Sequence, residues 1–212
     1  MEFKEIFSNW NDVIRDHYPI DRRMSIMRGV DGMSSENVRF LINEIVRRYA
    51  KVYVEAGIYR GGSLLSAALY NEVMCIGFDN FSGFNDDGAN HQKLNKNLSS
   101  LKDHYKNSQI IIHEVDYRRI PEFVRDLKVD VYYYDAAHEY EHQLRGLELM
   151  LPFLSERCFL LVDDINWSRV NEATEEFLER HVGFETLFKV FTEDNAQPTW
   201  WNGFQVIGRN IE

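Results

Sequence analysis

Seven short apolar runs, most of them separated by a stretch long enough for a helix, constrain this chain more than any other feature of its sequence. Runs at 52–55, 73–78, 110–114, 131–134 and 159–162 alternate with helix-like stretches at 63–70, 90–104, 120–127, 141–151 and 170–180. Crossovers of this length join parallel strands, and continuous apolar runs mark strands buried on both faces. Two further runs, at 185–191 and 204–208, have no helix between them and suit an antiparallel hairpin at one sheet edge. The expected fold class is α/β: a Rossmann-like doubly wound sheet closed by a terminal antiparallel hairpin.

Residues 1–50 read differently. Phe3, Ile6, Phe7, Trp10, Val13 and Ile14 recur at helical spacing up to Pro19. Ser34 or Ser35 then caps a second helix with Val38, Leu41, Ile42, Ile45 and Val46 on one face. This segment is expected to pack on the core or on a partner subunit, so a homo-oligomer stays open; residues 51–212 form the ligand-binding domain. A net charge of −10 argues against a nucleic-acid partner, whose phosphates call for Lys and Arg. No run approaches the ~20 apolar residues of a membrane span, and residues 1–10 lack the apolar stretch of a signal peptide. Cys75 and Cys158 both begin apolar runs and read as buried free thiols. A cytoplasmic protein is expected.

Doubly wound sheets bind ligands beyond the carboxyl ends of their strands. The first strand ends Glu55-Ala56-Gly57-Ile58-Tyr59-Arg60-Gly61-Gly62-Ser63 and runs into a helix. Gly57 permits a sharp turn, Gly61 and Gly62 let the helix start close to the sheet, and Ser63 supplies a hydroxyl. Asp79, at the end of the second strand and about twenty residues on, is placed to accept both hydroxyls of a ribose. The bland readings are a plain strand-to-helix connection and a solvated turn acid. Bulky residues stand where the diphosphate of a dinucleotide would approach. A nucleoside without phosphate fits better, and S-adenosylmethionine is the obvious candidate. Glu55 would then take the amino group of its methionine part, and Asp116, after the third strand, would read the adenine.

The fourth strand ends Tyr134-Asp135-Ala136-Ala137-His138 and the fifth ends Val162-Asp163-Asp164. As neighbours ~4.8 Å apart, these strands would bring three carboxylates to one point. Such a group calls for a cation, and an all-oxygen set with no Cys suits Mg²⁺ or Mn²⁺. Without a cation, Asp163 would cap the next helix while Asp164 faces solvent. His138, on the loop above, has the titration range of a general base for a substrate hydroxyl.

His138-Glu139-Tyr140-Glu141-His142 also matches the H-E-x-x-H pattern of zinc peptidases. That chemistry needs both histidines on one helix, and His138 follows a strand too closely. A nucleoside-binding domain without turnover would have no use for an acid cluster opposite its ligand. An NAD-dependent oxidoreductase is disfavoured by the bulky residues of the glycine loop.

Taken together, Glu-x-Gly-x-x-x-Gly-Gly-Ser at 55–63, Phe78-Asp79 with Phe81 and Gly83, Asp135-x-x-His138-x-Tyr140 and Val162-Asp163-Asp164 resemble class I S-adenosylmethionine-dependent methyltransferases, the macrocin-type sugar O-methyltransferases in particular. The resemblance runs over roughly residues 36–180. It implies a seven-stranded sheet with a reversed hairpin, Mg²⁺ held by Asp135, Asp163 and Asp164, and His138 as general base. The acceptor it implies is a hydroxyl of a small molecule, of sugar or natural-product type. Residues 85–96 and 195–202 match nothing in that pattern, and Trp200 and Trp201 suit either ring stacking or packing.

Overall fold

The computed structural model describes residues 22–83 and 88–211. The amphipathic helix expected over Phe3 to Ile14 lies outside them. The elements in chain order are α1 (Arg22–Arg28), α2 (Glu36–Tyr49), β1 (Val52–Ala56), α3 (Gly62–Ala68), β2 (Met74–Phe78), α4 (Ala89–Leu101), β3 (Gln109–His113), α5 (Ile120–Val124), β4 (Val129–Tyr134), α6 (Tyr140–Glu148), β5 (Leu154–Asp163), α7 (Ser168–Arg180), β6 (Phe184–Val190) and β7 (Phe204–Arg209). The strands form one seven-stranded sheet in the order β3-β2-β1-β4-β5-β7-β6. β1 to β5 run parallel, and β7 inserts antiparallel between β5 and β6. The doubly wound sheet and its closing hairpin are as expected.

Each strand feeds both faces, because successive side chains alternate. Val131 and Tyr133 of β4 join Phe159, Leu161 and the apolar face of α2 on one side. Tyr132 and Tyr134 join Leu160, Val162 and helices α5, α6 and α7 on the other. Cys75 and Cys158 are buried free thiols, one in each layer.

Helix α2 starts where Ser35 accepts from the Val38 N–H (3.3 Å), so Ser35 rather than Ser34 is the cap. Its buried Asn43 donates to the carbonyls of Ser66 and Leu69 (2.7 and 2.9 Å), tying α2 to α3. Arg39, 4% exposed, donates to Ser34 Oγ and to the carbonyls of Met27 and Val30. That buried guanidinium fixes the loop before α2 against the start of α3.

Two expected boundaries moved. β5 begins at Leu154 rather than near 159: Leu154 pairs with Val129, and the irregular polar stretch that follows is held by Arg209, whose guanidinium donates to the carbonyls of Ser155 and Glu156. α5 is a single turn preceded by a 3₁₀ turn, Tyr117–Arg119, which Asp116 caps by accepting from the Arg118 N–H (2.9 Å).

Candidate active site

The loops following β1, β2, β4 and β5 meet over the carboxyl edge of the sheet and enclose a cavity of about 630 Å³, within the usual range for a small-molecule site. At one end lies the glycine loop. The Gly57 N–H donates to the Phe78 carbonyl (2.8 Å), and the Asp135 N–H donates to the Ala56 carbonyl (2.9 Å). Gly57 has φ 87°, and a Cβ there would stand 1.8 Å from the Asp135 carbonyl oxygen. No other residue type fits.

Asp79 faces this end of the cavity. Its two oxygens accept from the N–H groups of Tyr59 (2.8 Å) and Phe81 (2.7 Å), which fixes the carboxylate and leaves each oxygen a further lone pair. Ser63 and Gly62 line the cavity beside Gly57. Glu55 sits beneath them, fully buried, with one oxygen accepting from the Ser63 hydroxyl and the other from Tyr53 (2.6 Å). Burial pushes the Glu55 carboxyl up to about 8. Gly61, with φ 81°, is the turn residue before α3 and lies behind the wall. Asp116 is likewise outside the lining: Arg118 holds its carboxylate at 2.7 Å, and its neighbour Tyr117 reaches the cavity instead.

At the other end stand Asp135, Asp163, Asp164 and His138. Asp135, His138 and Asp164 each place one ligand atom within 4.8 Å of the others. His138 Nε2 lies 3.1 Å from Asp164 and 3.5 Å from Asp135 without hydrogen-bond geometry to either. Asp163, 2% exposed, accepts from the Tyr133 hydroxyl (2.7 Å) through one oxygen, and its other oxygen is buried with no partner. Burial and the neighbouring Asp135 and Asp164 push the Asp163 carboxyl well above its usual range. Burial pushes Asp135 up to about 6 against the pull of His138. Burial alone would lower His138, but the two carboxylates outweigh it and hold the imidazole at about 10. This is an electrostatically unsettled group: close carboxylates, an orphaned buried oxygen and an imidazole without a directed partner. A cation among them would settle each of these, so the residues fit one.

The H-E-x-x-H reading does not survive the geometry. His138 lies before α6, which starts at Tyr140, and His142 Nδ1 pairs with the Tyr117 hydroxyl at 2.7 Å.

Several cavity residues were not singled out from sequence. Trp167 packs edge-on against His138, with ring centroids 4.6 Å apart. Asn195, Ala196 and Asn202 roof the site from the β6–β7 loop beside Trp201, which the sequence offers for ring stacking or packing, and Met33 closes it with Ser34 from the loop before α2. The adjacent tryptophans divide: Trp201 lines the cavity, whereas Trp200 is 4% exposed and packs on Phe188. Only the backbone could have told them apart, because Trp201 adopts a left-handed φ of 56° that turns it away from its neighbour.

Residues 54–165 match the family described as "Methyltransferase domain". The chain belongs to that methyltransferase family. The match runs from β1 to just past Asp164, so it carries the glycine loop and the acidic cluster together. With the sheet order and its reversed β7, this makes the protein a class I S-adenosylmethionine-dependent methyltransferase. No curated protein matches the chain. Solved structures share its fold at low identity. An O-methyltransferase from Bacillus cereus in complex with SAH is 11% identical (TM-score 0.64), over 98% of this methyltransferase and 100% of that chain. TomG from Streptomyces achromogenes, an O-methyltransferase of tomaymycin synthesis in complex with SAM, is 13% identical (TM-score 0.63), over 99% of both chains. An rRNA methylase from Streptococcus thermophilus is 14% identical (TM-score 0.52), over 93% and 99%. A fold shared by acceptors so different does not choose among them.

Proposed function

We propose that this methyltransferase moves the methyl group of S-adenosylmethionine to a hydroxyl of a small molecule of sugar or natural-product type, with Mg²⁺ or Mn²⁺ at the Asp135–Asp163–Asp164 edge. The observation that carries this reading is one cavity holding a carboxylate with free lone pairs at one end and a cluster of Asp135, His138 and Asp164 ligand atoms at the other.

At the donor end, Asp79 has lone pairs free for two ribose hydroxyls, Gly57 lets the backbone come close, and Gly61 turns the chain into α3 behind it. Ser63 presents its hydroxyl to the methionine end, with Glu55 acting through it from below. Asp116 caps the turn that presents Tyr117 beside the adenine. The sulfonium supplies an activated methyl when bound, so the chain's main task is alignment.

At the acceptor end, Asp135, Asp163 and Asp164 would hold the cation, which supplies Lewis acidity to the acceptor hydroxyl. With a cation taking over the carboxylates that otherwise keep His138 protonated, the imidazole would be neutral and would take the hydroxyl proton. Trp167 packs edge-on against the His138 ring and limits its rotation.

The described lining carries four aspartates, at 79, 135, 163 and 164, and neither Lys nor Arg. Such a wall repels phosphate and carboxylate and suits an uncharged or amine-bearing acceptor. With the net charge of −10, it weighs against an RNA acceptor. The same reading treats residues 51–212 as the catalytic domain and 1–50 as a helical segment laid on it, supported by the buried face of α2.

Calorimetric titrations with S-adenosylhomocysteine and, separately, with Mn²⁺ test donor and cation in turn. The expected result is tight binding by the wild type and by Asp164→Ala, with Mn²⁺ binding lost only in the variant. Tight NAD binding with no S-adenosylhomocysteine binding would overturn the donor assignment; undiminished Mn²⁺ binding in the variant would overturn the cation site.

A further inference from the structure

The β6–β7 loop lies outside the segment that matches the family, yet it is built as tightly as the rest of the site. Gln197 and Trp201 pair antiparallel through reciprocal N–H···O bonds of 2.9 and 3.0 Å. The Asn166 amide donates to the Thr192 carbonyl (3.0 Å) and accepts from the Thr192 N–H (3.0 Å), closing the loop's base. The Ser35 hydroxyl donates to the Thr199 carbonyl (2.6 Å), which fastens the far end to the cap of α2. The loop is therefore a strap thrown across the acceptor side of the cavity.

Asn202 sits where the strap meets the acidic cluster, and it is 8% exposed. Its Nδ2 donates to Asp164 Oδ1 at 2.6 Å, and its Oδ1 accepts from the Ala196 N–H at 2.6 Å. The orientation of the amide is forced, since a carboxylate only accepts and a backbone N–H only donates. The Asn202 carbonyl also accepts from the Asn166 N–H (2.9 Å). Asp164 needs such support: its φ of 58° is a left-handed conformation unusual for a residue with a side chain. With Oδ1 held by Asn202, Oδ2 is left facing His138.

We propose that Asn202 is a positioning residue that couples the cation cluster to the acceptor wall. One end of its amide aims Asp164 Oδ2 into the cluster; the other holds Asn195 and Ala196 at the cavity. By thermodynamic reciprocity, a cation that favours the aimed Asp164 also favours the closed strap, and a strap held closed raises cation affinity. This inference rests on the cation reading above and adds that a residue beyond the family segment controls it.

The test uses the full chain, Mn²⁺ as probe and two readouts independent of turnover. Free Mn²⁺ is followed by electron paramagnetic resonance during titration, and hydrogen exchange is measured over residues 192–202 with and without Mn²⁺. Asn202→Ala, checked for cooperative melting, is expected to weaken Mn²⁺ binding about 10-fold or more. It should also abolish any effect of Mn²⁺ on exchange in the strap. Thr192→Val removes the hydroxyl that accepts from Asn166 Nδ2 (2.8 Å) without touching Asp164. It should raise exchange in the strap while the strap stays mostly closed, so that Mn²⁺ affinity falls by no more than about 2-fold and Mn²⁺ still slows exchange there, a split that a merely structural role for Asn202 would not produce. In the wild type, Mn²⁺ should slow exchange over 192–202. If it does not, the coupling is overturned whether or not the Asn202 variant folds. Unchanged Mn²⁺ affinity in a folded Asn202→Ala protein would overturn it as well. A wild type that binds no Mn²⁺ overturns the cation reading, and this inference with it, in a way the variants alone cannot mimic.

Discussion

Glu55 shows what burying an acid does to one residue and to its pH response. Its carboxyl is held at about 8, against an ordinary 4.5, because burial disfavours its charged form. Between those values the folded chain keeps a proton that the unfolded chain gives up. Stability from this group is therefore greatest at low pH and falls as pH rises, by up to ~1.4 kcal/mol per pH unit. Glu55→Gln keeps the shape of the neutral acid and cannot ionise. Urea unfolding from pH 5 to pH 8.5 should show the variant gaining steadily on the wild type; parallel curves would mean that Glu55 is ionised in the fold. The residues legible from sequence, Asp79, Asp135, His138 and Asp164, all follow strand ends, where topology alone fixes their place. Asn202 and Trp167 were not legible. They reach the site through a long loop and a short connection, and no period or register predicts which side chain turns inward.

At the scale of elements, α6 depends on a residue that helix propensity would reject. Gly146 lies inside α6, and a Cβ there would come within 2.0 Å of the Tyr134 ring on β4. The absent side chain lets helix and sheet approach. Elsewhere in a helix, Gly→Ala gains about 1 kcal/mol. Here Gly146→Ala should lose about 1–3 kcal/mol by denaturant titration, because the fully buried Tyr134 ring has nowhere to move. A gain in stability would show that the two layers slide apart easily. Sequence periodicity found α6 and β4 but not this contact, since a glycine in a helical pattern has no apolar signal to count. The early start of β5 escaped for a related reason. Ser155, Glu156 and Arg157 carry no apolar alternation; they lie in the irregular stretch between the Leu154–Val129 and Phe159–Val131 pairs, where Asp130 accepts from the Ser155 hydroxyl and Arg209 donates to the Ser155 and Glu156 carbonyls.

For the molecule as a whole, the site is a seam between four loops and the strap, so a donor filling it should stabilise the entire fold. At roughly 100 times its dissociation constant, S-adenosylhomocysteine should add about 2.7 kcal/mol. For a chain of this length that corresponds to a rise in Tm of about 5–10 °C, read by differential scanning fluorimetry. NAD at the same concentration should leave Tm unchanged, and an equal shift would point to a dinucleotide site. The parallel sheet and its closing hairpin were legible because parallel strands and crossover helices leave a strong alternating record in the chain. The roof was not, because residues far apart in sequence build it, with Met33 before the sheet and Asn202 after six of its strands.

The backbone contact between Gly57 and Asp135 also bears on how such a chain diversifies. Donor loop and cation loop touch main chain to main chain, so position 57 cannot gain a side chain without displacing the cation loop. Lineages that acquire new acceptors are thereby steered away from this junction and toward the roof, where Asn195, Ala196 and Trp201 can be exchanged while the chemistry below stays in place. Libraries built to retarget the protein inherit the same division.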